Sequence, residues 1–270
     1  MSHGPLTVDD LLPRGPLRRV GRRVLMHDTV DSTNAFLLRC AHESCDGTVA
    51  CAEFQSSGRG RLGRRWEAPR GSSVMLSVLL LEPEESPLLT QGALLAALAA
   101  CEAIENATDC APAVRWPNDI VLAGRKLGGV LAETSSLASG DSVAQRAVVL
   151  GVGINCLQHR GHFKDELTRM ATSLELESTR PVHRAAVAGS LLSYLDRWLA
   201  RGGEGPAGWM GVREAWRARC EDFGTRVTLE NDGRVFSGTA LGISDEGDLV
   251  VQLDRGGRRQ FASAGTTRIW

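Results

Sequence analysis

Several familiar signals are missing from this 270-residue chain, and each absence removes a class of protein. No Gly-x-x-x-x-Gly-Lys-Ser/Thr segment is present, so a Walker-type phosphate loop is excluded. Cysteines stand at 40, 45, 51, 101, 110, 156 and 220 without a Cys-x-x-Cys pair, and no histidine spacing completes a zinc site. An odd cysteine count without a secretory signal argues against a disulfide framework and predicts reduced thiols in the cytoplasm. The amino end, Met-Ser-His-Gly-Pro, lacks an apolar signal core, and apolar runs such as Val74 to Leu81 are too short for a bilayer, so no membrane partner is expected. Aromatic residues are 5% of the chain and the formal net charge is -1. That composition leaves neither the broad basic surface nor the stacking platforms that bulk nucleic acid requires. His159 and His162, in Gln-His-Arg-Gly-His-Phe, stand beside basic residues and give no metal site.

The positive charge is instead concentrated in one stretch, Gln55-Ser-Ser-Gly-Arg-Gly-Arg-Leu-Gly-Arg-Arg-Trp66. Gly58, Gly60 and Gly63 let backbone approach a ligand, while Arg59, Arg61, Arg64 and Arg65 carry planar, permanently charged donors that match carboxylate or phosphate oxygens. An anion cradle and a solvated Arg-Gly loop are both compatible with this stretch taken alone. The flanking sequence weighs between them.

Residues 1 to 22 mix proline, glycine and arginine and read as a loose basic leader with at most one helical turn. That is too little chain for a DNA-reading domain, which needs roughly 50 residues and its own core. A strand is expected at Val24 to Met26. Asp31-Ser-Thr-Asn34 then offers N-cap candidates for a helix over Ala35 to Ala41, and its two hydroxyls and amide could also hold a polar ligand head. Strands follow at Thr48 to Phe54 and Val74 to Leu81, then a core helix over Leu88 to Ala107. Val114-Arg-Trp-Pro-Asn-Asp-Ile-Val-Leu122 and the strand opening at Lys126 form a hairpin about Ala123-Gly124-Arg125. Asn118 and Asp119 lie where Pro117 turns the backbone, and Gly128 and Gly129 leave space into which the Lys126 ammonium could reach. The strand Ala147 to Ile154 ends in Asn155. Gly151-x-Gly153 has no third glycine in register and no helix after it, so a dinucleotide fold is rejected there. Residues 156 to 180 read as a variable loop, and Arg184 to Arg201 and Pro206 to Arg219 as amphipathic helices. From Gly224 onward, short strands alternate with Asn231-Asp-Gly233 and Asp254-Arg-Gly-Gly257 turns, a separate small barrel.

Taken in order, Gly58-Arg-Gly-Arg-Leu-Gly-Arg-Arg-Trp66, Arg115-Trp-Pro-Asn-Asp119 with Lys126-Leu-Gly-Gly129, and Gly151-Val-Gly-Ile-Asn155 resemble biotin-protein ligase, monofunctional type, over residues 24 to 270. The resemblance implies an α+β chain: a mixed, mainly antiparallel sheet with helices, class II synthetase-like, at 23–220, and an SH3-like barrel at 221–270. It implies a two-step reaction in which biotin and ATP give biotinyl-adenylate and pyrophosphate, and a lysine of a biotin carboxyl carrier domain then takes the biotinyl group. Carried over by motif, Ser32, Thr33 and Gln55 resemble ligands of the biotin head, with Gly58, Arg59 and Gly129 lining the slot. Arg61 and Lys126 would flank the carboxylate and α-phosphate. Arg59, Arg64, Trp66, Asn118 and Asn155 would face the adenylate. Asp119 would serve the incoming lysine and Mg2+. The loop over 58–70 is expected to be mobile without ligand, since a mixed anhydride must be shielded from water. Arg115, Gly128 and Leu62 depart mildly from the family pattern. No amino-terminal DNA-binding domain is expected, which puts in doubt the repressor role that some family members have. A lipoate or octanoate ligase and a nucleic-acid-binding module are the rival readings, and a homodimer is possible through an exposed edge strand.

Overall fold

The computed structural model describes residues 4–12, 15–137 and 145–269, so Pro13 and Arg14 of the leader lie outside the described residues. The chain runs α1 (Val8–Leu11), β1 (Arg23–His27), α2 (Thr33–Arg39), β2 (Thr48–Ala52), β3 (Ser73–Pro83), α3 (Leu88–Ala107), β4 (Ala113–Arg115), β5 (Asp119–Leu122), β6 (Arg125–Leu137) and β7 (Gln145–Asn155). It continues through α4 (Leu167–Met170), α5 (Leu174–Glu177), α6 (Arg184–Gly202) and α7 (Pro206–Arg219) to β8 (Arg226–Asn231), β9 (Arg234–Ile243), β10 (Leu249–Leu253), β11 (Arg258–Phe261) and β12 (Thr266–Ile269).

The first seven strands form one sheet in the order β1-β2-β3-β7-β6-β5-β4. Only β1 and β2 run parallel; the other neighbours are antiparallel. Strand alternation sorts its two faces. Val74, Leu76, Val78 and Leu80 of β3, with Val148, Leu150, Val152 and Ile154 of β7, pack beneath α3 and α6. The opposite face is thinner. There Leu37 of α2 covers Ala50, Leu79, Ala147 and Val149, and the next residues along the same strands, Ser77, Gly151 and Gly153, are left for other work. By length and composition α3 could cross a membrane, yet its apolar side chains are spent on the sheet and α6. The seven cysteines are free thiols. Burial pushes Cys51, Cys101 and Cys156 up to about 12, so they behave as core residues.

One expectation is corrected. The leader is not loose: Leu6 and Leu11 are buried, and the Asp196 carboxylate on α6 accepts the backbone N–H groups of Arg18, Arg19 and Val20 at 2.8, 2.7 and 3.1 Å. One acidic side chain thus satisfies three consecutive donors that the turn cannot pair internally. The carboxyl-terminal sheet, β11-β10-β9-β8-β12, fits an SH3-like domain and packs against the first domain. Trp116 donates its indole N–H to the Gly247 carbonyl at 3.1 Å and its backbone N–H to Asp222 at 2.9 Å. Arg217 of α7 donates to the Ile243 carbonyl at 2.6 Å. Gly247 has a φ of +89°, and a Cβ there would lie 2.9 Å from Leu94, so the barrel turn presses directly on α3.

Candidate active site

Chain crossings at one end of the sheet assemble the site. Backbone bonds from Val30 to Phe54, and to Val30 and Asp31 from Ser56 and Ser57, stitch the segment before α2 to the segment after β2. That stitching places Ser32 and Thr33 beside Gln55. Ser32 caps α2, its hydroxyl accepting from the Ala35 N–H at 3.5 Å. Thr33 gives its backbone N–H to Gln55 Oε1 at 2.7 Å and its hydroxyl lies 3.1 Å from the same oxygen. Gln55 Nε2 is left against Met75 Sδ at 3.4 Å, a weak acceptor.

The Arg-Gly stretch folds back on itself. Gly60 and Trp66 donate to the carbonyls of Arg64 and Gly58 at 2.7 and 3.0 Å, and the tip turns at Leu62 and Gly63 with φ of 53° and 74°. A Cβ at Gly58 would meet the Trp66 carbonyl at 2.3 Å, which is why glycine stands there. The finger separates a wide cleft of about 990 Å³ from a smaller, partly open cavity of about 290 Å³. The smaller cavity has the size of a small-ligand pocket.

Of the residues singled out in the sequence, Ser32, Thr33, Gln55, Arg59, Arg61, Arg64, Trp66, Asn118, Asp119, Lys126, Gly129 and Asn155 all line the smaller cavity, while Gly58 lies in the wall of the wider cleft. Lys126 Nζ pairs with Asp119 Oδ1, with about a third of the lysine side chain still open. Gly129 stands opposite Asp119 across the β5–β6 ladder. A Cβ on it would sit 3.6 Å from both groups of the pair. Asn118 donates its amide to the Val130 carbonyl and turns its oxygen toward the Arg61 guanidinium at 3.5 Å. Arg61 also donates to the carbonyls of Ser263 and, at 3.0 Å, Thr266. The barrel therefore holds one of the cavity's cations. Burial lowers the Arg61 pKa, with Asp119 working in the opposite direction. Trp66 lays its indole over β7 so closely that a Cβ at Gly153 would fall 2.8 Å from the ring, and its buried Nε1 has no partner among the described residues.

Asn155 borders the cavity; its amide donates to the Thr172 carbonyl at 3.0 Å and accepts from Gln158 at 2.9 Å, which fixes its orientation and leaves one hydrogen and one lone pair unused by these bonds. Two sequence readings change here. Gly128 makes room for β7, not for a ligand, because a Cβ there would meet the Gly153 carbonyl at 2.5 Å. The segment 156–180 is not a featureless loop: α4 and α5 pin it, Thr172 N–H bonds the Lys126 carbonyl at 2.9 Å, and Phe163, Leu167 and Met170 close one side of the cavity. Sequence reasoning missed Ser77, Glu133 and Arg268, and read Asn34 only as a cap or an amide for a ligand head. Ser77, a lone hydroxyl inside an apolar strand, was the visible signal. Arg268 reaches the cavity from β12 and pairs with buried Asp222; nothing in its local sequence announces this.

Comparison with known proteins agrees with this geometry. Residues 26–155 match the Biotin/lipoate A/B protein ligase family and residues 222–264 the biotin protein ligase C terminal domain. The chain is 32% identical over 252 residues to the bifunctional ligase/repressor BirA of Bacillus subtilis, covering 90% of this chain and 74% of that protein. It is 35% identical over 246 residues to the biotin--[acetyl-CoA-carboxylase] ligase of Mycobacterium tuberculosis, covering 87% and 84% respectively. The biotin protein ligase of Aquifex aeolicus, solved in complex with biotin and ATP, superposes with a TM-score of 0.75 at 26% identity, covering 92% of this chain and 99% of that one. With both of its domains matched in order, the chain belongs to the biotin protein ligase family.

Proposed function

We propose that this protein joins biotin to ATP as biotinyl-5'-AMP and then transfers the biotinyl group to a lysine of a biotin carboxyl carrier domain. The observation that carries this reading is the polarity of the smaller cavity. One end offers Thr33 and Gln55, uncharged groups suited to a neutral polar head. The other gathers Lys126 and Arg61, cations suited to two anions, with Asn118 and Asp119 beside them. The acid's carboxylate oxygen attacks the α-phosphorus and pyrophosphate departs; Arg61 and Lys126 offset the repulsion between the reactants and stabilise charge on the phosphoryl oxygens. In the second step the carrier lysine attacks the acyl carbon and AMP leaves with the bond's electron pair. Asp119 is placed to ease removal of the amine's proton while holding Lys126.

Magnesium fits this site as a companion of the nucleotide. Among the described residues no three His, Cys, Asp or Glu side chains gather into a cage, and a hard cation that keeps its waters needs only one carboxylate plus phosphates. Asp119 would hold it, and it would supply charge neutralisation on the phosphate chain.

The family description for residues 26–155 covers lipoate as well as biotin ligases. The matched C-terminal domain and the named relatives favour biotin. ATP–pyrophosphate exchange with biotin, lipoate, octanoate or no acid tests this directly. Exchange that requires biotin and collapses in Lys126→Ala is expected. Exchange driven by lipoate or octanoate would move the chain to the sister chemistry, and none with any acid would remove adenylation. Trypsin cleavage over 58–70, measured with and without biotin plus ATP, checks whether the finger is mobile before ligand binds.

A further inference from the structure

A run of polar side chains crosses the sheet between the head-binding end of the cavity and the Arg-Gly finger. Thr33 Oγ1 lies 2.7 Å from Ser77 Oγ, which lies 2.6 Å from Asn34 Oδ1. Asn34 Nδ2 donates to Glu133 Oε2 at 2.9 Å and to the Leu131 carbonyl at 3.0 Å. The other oxygen of Glu133 pairs with the Arg59 guanidinium at 3.1 Å. Asn34 and Ser77 are buried, and β7 is shaped around them: a Cβ at Gly151 would fall 2.0 Å from Asn34 Oδ1. Gly151, whose lack of a side chain resembled a ligand-binding feature in sequence, serves this amide.

We propose that Glu133 is a positioning residue that latches the Arg-Gly finger through Arg59, and that Asn34 and Ser77 couple this latch to the Thr33 hydroxyl. The inference rests on the reading of the cavity as a biotin site. An exposed ion pair by itself contributes little, because two flexible side chains must be ordered to form it. Here the carboxylate is already fixed by the buried Asn34 amide, so Arg59 meets a preorganised partner.

Hydrogen counting gives the coupling its direction. Thr33 and Ser77 carry two hydroxyl hydrogens, yet three contacts call for one: Thr33 with Gln55, Ser77 with Thr33, and Ser77 with Asn34. A ligand that brings its own N–H to Thr33 Oγ1, as a cyclic urea does, replaces Ser77 as that oxygen's donor, so the Ser77 hydrogen turns to Asn34 Oδ1. That fixes the amide whose other end grips Glu133. A plain alkanoate brings no such hydrogen, and the Ser77 hydrogen stays shared between Thr33 and Asn34.

The test uses the full-length protein, with trypsin cleavage over Arg59 to Arg65 and biotin-dependent pyrophosphate exchange as paired readouts. In Glu133→Gln, protection by biotin plus ATP weakens and the biotin KM rises by about tenfold, while kcat changes by less than about twofold. Ser77→Ala moves KM in the same direction, and the double variant is no worse than Glu133→Gln, as expected of one relay. Octanoate protects neither wild type nor variant. Wild-type protection and KM in Glu133→Gln, or fully additive effects in the double variant, would overturn the latch while leaving the site reading intact. A wild-type protein with no biotin-dependent exchange would remove the site reading and the latch together.

Discussion

Two ion pairs stand at the two ends of the Arg-Gly stretch's surroundings, and they are built for opposite purposes. At its root, Arg184 grips Glu53 with both nitrogens at 2.8 and 3.0 Å. Leu6 N–H donates to the same carboxylate at 2.8 Å, and the carbonyls of Gly4 and Ser73 accept from the guanidinium at 3.2 and 3.4 Å. The two side chains are 2% and 9% exposed. In the cavity, the Lys126 and Asp119 side chains are 33% and 12% exposed, and both line its wall. Similar charges therefore do different work: a closed pair, buried among protein partners, holds a fold together, and an open pair, standing at a cavity wall, can act on a ligand. The first also ties both ends of the finger, since Gly71 N–H bonds the Glu53 carbonyl at 2.9 Å.

Breaking the closed pair sharpens this contrast most. Arg184→Met strands a buried carboxylate, and urea denaturation should show a loss of about 3–5 kcal/mol. Glu53→Gln added to it should recover much of that loss, because no uncompensated charge then remains buried. Breaking the open pair is expected to do the reverse. Lys126→Ala should reduce exchange by about 10²–10³-fold, equivalent to about 3–4 kcal/mol of barrier, while stability moves by less than about 1 kcal/mol because the group is partly solvated. If Lys126→Ala unfolds the protein, the division between the pairs fails. The smallest effect is expected at the other end of the amino-terminal segment. Asp196→Ala removes the acceptor of three N–H groups, and a loss of about 1–3 kcal/mol in urea, with faster proteolysis near Arg18, would place that strap within the same closed region.

Elements held by local patterning were legible in advance. Helix α3 spans Leu88–Ala107 and β9 spans Arg234–Ile243, as periodicity and turn residues indicated, because an unbroken apolar helix and a strand between two glycine turns state their own limits. The cavity's motif residues were legible for a related reason: glycine and arginine in alternation, or a lysine opening a strand before Gly-Gly, carry chemical meaning without tertiary context. What escaped depends on register between distant segments. That Glu133 faces Arg59, or that Gly151 makes way for Asn34, follows from the offset of β6 against β7 and from the height of α2 above them. The barrel's contact through Gly247 and Trp116 similarly needs two domains in place before either residue has a partner.

The long central ladder has a further consequence. Strand β7 pairs with β3 from Gln145 to Asn155 and with β6 from Gln145 to Ile154, and the cavity lies where that ladder ends, at Gly153 and Asn155. Opening there breaks few backbone bonds, whereas opening at Val148 or Val149 disrupts two long ladders at once. Amide hydrogen exchange should therefore slow from the cavity floor toward the sheet's centre. The binding end would sample open conformations that the rest of the domain does not, giving ligand access a route that leaves the core unmelted.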